Sequence, residues 1–130
     1  MPDTQLTKEY AVSQELLASS MGSGSLPVLA TPAVAAFFEN TAMELAAKYL
    51  TEGETTVGSK ITVEHLAPTA PGCKVTVTAE LESHEKRLFR FRLQARDNAG
   101  LIATGTHERV SVKSQRFLEK TNDRKSAVAE

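Results

Sequence analysis

From Thr55 to Val112 the chain keeps a rhythm of two, apolar then polar, broken only where turn residues cluster. Val75, Val77, Ala79 and Leu81 fall on one face and Thr76, Thr78, Glu80 and Glu82 on the other, the mark of a strand with one buried side. Phe89, Phe91, Leu93 and Ala95 repeat this against Arg90, Arg92, Gln94 and Arg96. The opposed Glu and Arg faces predict exposed cross-strand pairs, worth about 0.2 to 1 kcal/mol each, enough to favour a register but not to hold a fold. Pro71-Gly72, His84-Glu85-Lys86 and Asp97-Asn98-Ala99-Gly100 mark the connections, and Leu101 through Val112 makes the last strand. Upstream, Val57, Ser59, Ile61, Val63 and His65 are expected on one face of a strand ending near Pro68.

The period lengthens before Thr55. Val34, Phe38, Leu45 and Tyr49, joined by Phe37 and Ala42, recur at helical spacing, predicting a helix from about Pro32 to Leu50 with Gly53 just beyond its stop. Thr31-Pro32 reads as its start, with the Thr hydroxyl capping a free N–H and Pro at the first helical position. Leu6, Tyr10 and Val12 give a short edge strand, and Ser19 to Ser25 a mobile glycine–serine loop. Residues 1–118 therefore form a single domain, and 119–130 a charged, flexible tail. The class is α+β: a five-stranded antiparallel sheet wrapped around one long helix. A single helix covers only part of such a sheet, and an unpaired edge strand invites a second copy, so a homodimer is expected, with higher order left open.

Composition narrows the partners. The 130 residues carry 15 Lys and Arg against 16 Asp and Glu, so no broad basic surface exists to release counterions from a nucleic acid. No apolar run is long enough to span a bilayer, and Met1-Pro2-Asp3-Thr4 lacks a basic segment followed by an apolar stretch, so no membrane partner and a cytoplasmic location are expected. Cys73 is the one cysteine. It permits neither an intrachain disulfide nor a multi-cysteine metal site, and reads as a small, partly buried thiol.

Three residues stand out chemically, each with an ordinary reading beside the functional one. Thr31 is a good helix cap whatever the protein does. Glu39, in the helix beside Phe38, has the usual fate of a solvated carboxylate. His65 shares a strand face with Ile61 and Val63, where a polar ring must find partners or stay exposed. His107 reads as a satisfied structural histidine and His84 as a solvated turn residue. Arg109, Lys113 and Arg116 can meet phosphates, but charges at a strand end are more often simply solvated.

Taken together, Leu29-Ala30-Thr31-Pro32, Phe38-Glu39, Val57-Gly58, His65-Leu66-Ala67-Pro68-Thr69 and Gly105-Thr106-His107-Glu108-Arg109 resemble the fluoroacetyl-CoA thioesterase-like branch of the hotdog superfamily over roughly residues 26 to 118. The resemblance implies a hotdog fold dimerising as a double hotdog. It also implies hydrolysis of a small or medium acyl-CoA to acid and CoA, in a groove between subunits. It makes Thr31, Glu39 and His65 catalytic and Gly58 a substrate-binding position. No metal or cofactor is implied beyond the CoA of the substrate. Where the fluoroacetyl-specific member has lid phenylalanines, nine and six positions before its threonine, this chain has Gly22 and Ser25, which argues against fluoroacetyl-CoA itself.

The residue types suit that chemistry. His65 can exchange protons near neutral pH; Glu39 can orient the imidazole or attack the carbonyl; Thr31 can donate a hydrogen bond or act as nucleophile. Gly58 lets backbone approach the thioester, and N–H groups at the helix start can hold developing negative charge. Thr31 and Glu39 lie eight residues apart, about 12 Å along a helix, so they cannot both touch one atom. A site shared between subunits is therefore expected. Hotdog hydratases use an Asp and a His within one short motif, and no such pair occurs here. The reading from a different class is a dimer that binds acyl-CoA without turnover.

Overall fold

The computed structural model describes the backbone of residues 2–128 and the side chains of residues 2–125. Strand β1 (Gln5–Ala11) leads through a 3₁₀ turn (Gln14–Leu16) and a one-turn helix α1 (Ala18–Met21) to the long helix α2 (Thr31–Ala47). Strands β2 (Glu54–His65), β3 (Lys74–Glu85), β4 (Leu88–Asp97) and β5 (Gly100–Lys113) follow, and helix α3 (Ser114–Val128) closes the chain. The five strands form one antiparallel sheet in the order β1-β3-β4-β5-β2. This is the hotdog architecture, with β1 and β2 at the edges of a sheet curled around α2.

The alternation seen in sequence becomes the concave face. Val75, Val77, Ala79, Phe89, Phe91, Leu93 and Ala95 are buried against Val34, Phe37, Phe38, Ala42 and Leu45 of α2, each large side chain contributing about 1.5 to 3 kcal/mol by leaving water. At Gly105 the sheet lies directly under the Phe38 ring of α2. A Cβ there would lie 2.2 Å from the Thr62 carbonyl and 3.0 Å from the Phe38 ring, so only glycine fits. Tyr10 stacks on Phe37 with ring centres 4.4 Å apart, and its hydroxyl meets Asn40 and Thr41, both at 2.8 Å. On the outer face Glu80 lies opposite Arg92 in register and the two pair at 2.6 Å, as the charge pattern predicts.

Several expectations change. Helix α2 stops at Ala47, and Tyr49 lies beyond it, its hydroxyl donating to the Asp3 carbonyl at 2.8 Å. The Ser19–Ser25 stretch is built in part from α1, which ends at Gly22 with φ +81°, and is tied back by a bridge between Leu17 and Leu29. His84 is exposed but belongs to β3, with its ring stacked on Phe89 at 3.8 Å. Strand β2 does not keep one parity. Its pairing with β5 slips between Gly58 and Lys60, and the extra residue, Ser59, reverses which side chains face inward. Before the slip Thr56 is buried and Gly58 faces α2; after it Ile61, Val63 and His65 are the half-buried positions, so Val57 and Ser59 do not share their face. Helix α3 starts directly at the end of β5, within the expected domain, and runs on into the expected charged tail at 119–130. Its side chains from Gln115 to Lys125 are exposed, and no residue of that stretch joins the core.

Candidate active site

The four residues singled out by sequence fall into two clusters on this chain. The first joins Thr31 to His65. Thr31 is the first residue of α2; its hydroxyl does not cap the helix, whose N-terminus has no side-chain cap. Instead Thr31 Oγ1 lies 2.8 Å from His65 Nδ1. The cap expectation fails because the end of β2 brings a better partner to the same oxygen. Local backbone bonds hold that end in place: Leu66 N–H donates to the Ile102 carbonyl at 2.7 Å, and Leu29 N–H to the Thr69 carbonyl at 2.9 Å. Thr69 is buried in turn, its hydroxyl donating to Asp97 at 2.8 Å.

Among the described residues His65 Nε2 is buried and has no hydrogen-bond partner. Burial pushes the His65 pKa below its ordinary 6.5, opposed by the polar Ala67 backbone nearby, so the ring is neutral near pH 7. A neutral imidazole with one nitrogen bonded to a hydroxyl and the other unpaired is equipped to accept or deliver a proton at the free position. Beside it lies an open cleft of about 300 Å³, bordered by Ala18, Ser23, Val28, Thr31 and Leu66.

The second cluster is built around Gly58. A Cβ there would stand 2.9 Å from Glu39 Oε2, 3.2 Å from the His107 ring and 3.5 Å from Arg109 Nη1. Arg109 is fixed on three sides, Nε donating to Thr56 Oγ1 at 2.7 Å, Nη2 to the Thr56 carbonyl at 2.8 Å and Nη1 to His107 Nε2 at 3.1 Å. His107 Nδ1 donates to the Lys60 carbonyl at 2.7 Å, which fixes the tautomer: Nε2 carries the lone pair that Arg109 uses. Burial holds the His107 pKa below 6.5, helped by the neighbouring guanidinium and opposed by its bond to Lys60 and by the charges of Glu39 and Glu108. Burial also lowers the Arg109 pKa, opposed by Glu39, and a guanidinium stays charged regardless. A cleft of about 350 Å³ opens here between Glu39, Asn40, Met43, Thr56, Gly58 and Arg109.

The two clefts share no bordering residue. Eight residues of helix place Glu39 about 12 Å from Thr31, and seven of strand place Gly58 about 20 Å from His65. His107 and Arg109 were not among the predicted site residues. The signal was present in β5, where polar His107, Arg109 and Ser111 continue the inward parity of Ala103 and Gly105; an inward Arg on a strand demands a built environment. Among the described residues no three His, Cys, Asp or Glu side chains gather in the manner of a metal site.

Comparison with known proteins shows the family and the fold. The sequence profile of the fluoroacetyl-CoA-specific thioesterase family matches residues 12–115. A fluoroacetyl-CoA thioesterase from Streptantibioticus cattleyicolor is 39% identical over 100 residues, covering 77% of this chain and 72% of that protein. The crystal structure of an F36A mutant of a fluoroacetyl-CoA-specific thioesterase superposes with a TM-score of 0.87 at 32% identity, over 92% of this chain and 93% of the other. A thioesterase superfamily member from Thermus thermophilus superposes with a TM-score of 0.85 at 27% identity, over 98% and 96% of the two chains.

Proposed function

The chain belongs to the fluoroacetyl-CoA-specific thioesterase family, a thioester hydrolase on the hotdog fold, and from that premise we propose that it hydrolyses a short acyl-CoA at a site completed by a second copy. Water adds across the thioester, giving the free acid and the CoA thiol. The observation that carries the reading is the neutral His65, bonded to Thr31 through Nδ1 and unpartnered at Nε2.

In this reading Thr31 and His65 form one half-site and Glu39, Gly58 and Arg109 the other. Strand β2 carries both Gly58 and His65 and lies at the sheet edge, where its unpaired backbone groups suit an antiparallel copy of itself. A two-fold axis near Ile61 and Thr62 sets Gly58 of one subunit close to His65 of the partner subunit. The facing halves then supply complementary groups. Glu39 attacks the thioester carbonyl or activates the water that does; the Thr31 O–H donates to His65 Nδ1, so the ring carries its proton on Nε2 and delivers it to the leaving sulfur. Gly58 leaves room for the thioester beside Glu39, and Arg109 offers positive charge to the oxygen that gains it. Proton transfer and charge stabilisation come from side chains, so the proposal includes no metal or cofactor. Gly22 and Ser25 flank Ser23 of the Thr31 cleft in sequence and offer no aromatic ring, which favours an unfluorinated short acyl group. A cytoplasmic location, where acyl-CoA pools are made and used, is part of the same reading. No helix among the described residues is long and apolar enough to cross a membrane.

The test is release of free CoA from a panel of short acyl-CoAs by the wild type, His65→Ala and Glu39→Gln. Turnover by the wild type that collapses in both variants supports the reading. Tight acyl-CoA binding with no turnover across the panel would instead identify a non-catalytic binding dimer.

A further inference from the structure

Four cationic side chains meet where β5 passes into α3. Arg87, Lys113, Arg116 and Lys120 border a cleft of about 340 Å³ together with Glu54 and Phe117. Backbone bonds assemble its walls: Ser111 N–H donates to the Arg87 carbonyl at 2.9 Å, and Ser114 N–H to the Gly53 carbonyl at 3.0 Å. Four positive charges thus face one carboxylate, and that carboxylate is engaged elsewhere. Glu54 accepts from the Thr51 N–H and hydroxyl, each at 2.9 Å. Those bonds, with a smaller contribution from Lys113, hold its carboxyl below the ordinary range. Among the described residues none of the four cations lies within ion-pair distance of a carboxylate. Across the β5–α3 junction Lys113 and Arg116 also border a second cleft containing Glu52 and Glu119, so the surplus positive charge belongs to the Arg87 and Lys120 side. Phe117 is 39% exposed, an open ring next to the cations.

This cleft continues the line of the Gly58 half-site. The β2–β5 register runs from Gly58 opposite Arg109, through Thr56 opposite Ser111, to Glu54 opposite Lys113, every second pair facing the same way. Thr56 borders the Glu39 cleft and Ser111 the cationic one. Four residues of strand separate their centres by about 13 Å. A CoA thioester has a matching layout, with its reactive carbonyl at one end of the pantetheine arm and three phosphates and an adenine at the other.

We infer that the Arg87–Lys113–Arg116–Lys120 cleft binds the adenosine 3′-phosphate 5′-diphosphate end of the acyl-CoA whose thioester lies at Gly58. The phosphates meet the four cations and the adenine lies against Phe117. The assignment rests on the thioesterase reading and names the part of the substrate that reading left without a site.

The experiment compares a short acyl-CoA with the same acyl group on pantetheine, which lacks the nucleotide, using wild type and Arg87→Ala/Lys120→Ala. The expected result is a KM for acyl-CoA raised roughly tenfold with kcat unchanged, and no change for the pantetheine thioester, which also reports that the variant is folded. Adenosine 3′,5′-bisphosphate should compete with acyl-CoA on the wild type and compete more weakly on the variant. An unchanged KM for acyl-CoA, or inhibition that does not compete with it, overturns the assignment while leaving the thioesterase intact. If neither thioester is hydrolysed, the functional reading has failed separately. Titration with CoA then decides the cleft: weakened binding in the variant supports it, equal binding refutes it.

Discussion

The Thr31–His65 pair and the Gly58–Arg109 cluster sit on the same chain yet are held in opposite ways. Thr31 is exposed, and His65 keeps one ring nitrogen buried and unpartnered. Around Gly58 the polar groups are instead tied down: Arg109 makes three hydrogen bonds and both nitrogens of His107 are engaged. An unsatisfied buried nitrogen costs stability and is available for chemistry. A guanidinium fixed through three of its five N–H donors needs little further ordering on substrate arrival, because its direction is already set. The difference separates a half that keeps a proton-transfer group free from a half whose Arg109 and His107 are held in place around Glu39.

The sharpest test of that division is His65→Ala. In the Thr31–His65 half it should cut kcat at least about 100-fold, the low end for a lost acid–base group, while the thermal midpoint moves little because the ring has one side-chain hydrogen bond to lose. A large drop in Tm would break the comparison. Gly58→Ala probes the Glu39 half by volume. The new methyl would stand 2.9 Å from Glu39 Oε2; pushing that carboxylate aside should lower kcat/KM by about 10- to 100-fold, read in the same CoA-release assay with circular dichroism as the folding control.

Mixing subunits tests whether the halves meet across a dimer. Co-refolded Thr31→Ala and Glu39→Gln chains should regain roughly a quarter of wild-type activity, since half of the dimers are mixed and one of their two sites is intact. Recovery no greater than either parent would confine each site to one chain. Arg109→Ala should behave as the inverse of His65→Ala in stability, costing about 2 kcal/mol and several degrees of Tm by stranding Thr56 and His107.

The smallest expected effect is one of pH. Both histidines titrate below 6.5 in the folded protein because burial disfavours their charged forms. Above 6.5 folded and unfolded chains are alike neutral at these positions and stability is complete. As pH falls below 6.5 the unfolded chain takes up protons that the folded one resists, so stability declines until the folded pKa values are passed. Urea unfolding at pH 7.5 and pH 5 should show this loss, and His107→Gln should reduce it. A steeper acid dependence in His107→Gln would contradict the tie between burial and protonation.

Much of the fold was legible because it follows from periodicity. Strands β3 and β4 have unbroken alternation, and α2 is apolar at helical spacing, so their faces and order were readable residue by residue. The errors have local causes. Ser59 flips the parity of β2, and nothing in Val57-Gly58-Ser59-Lys60 marks which residue is left unpaired. Thr31-Pro32 reads as a cap because that is its commonest local use; only the arrival of His65 from 34 residues away gives the hydroxyl another partner. Residues 119–130, read as a tail, lie partly in α3, a helix of charged residues whose described side chains past Gln115 are outside the core.

By itself the sequence determined the order of elements and the buried faces, since side-chain period is a property of the chain alone, and the resemblance to a known family marked Thr31, Glu39, Gly58 and His65 as residues to examine. Tertiary structure decided how those four divide. Pairing β2 with β5 brought His107 and Arg109 to Gly58, and packing α2 across the sheet brought Glu39 to the same place while leaving Thr31 with His65. Such groupings depend on which strands become neighbours and on a one-residue slip between them, and no local pattern records either.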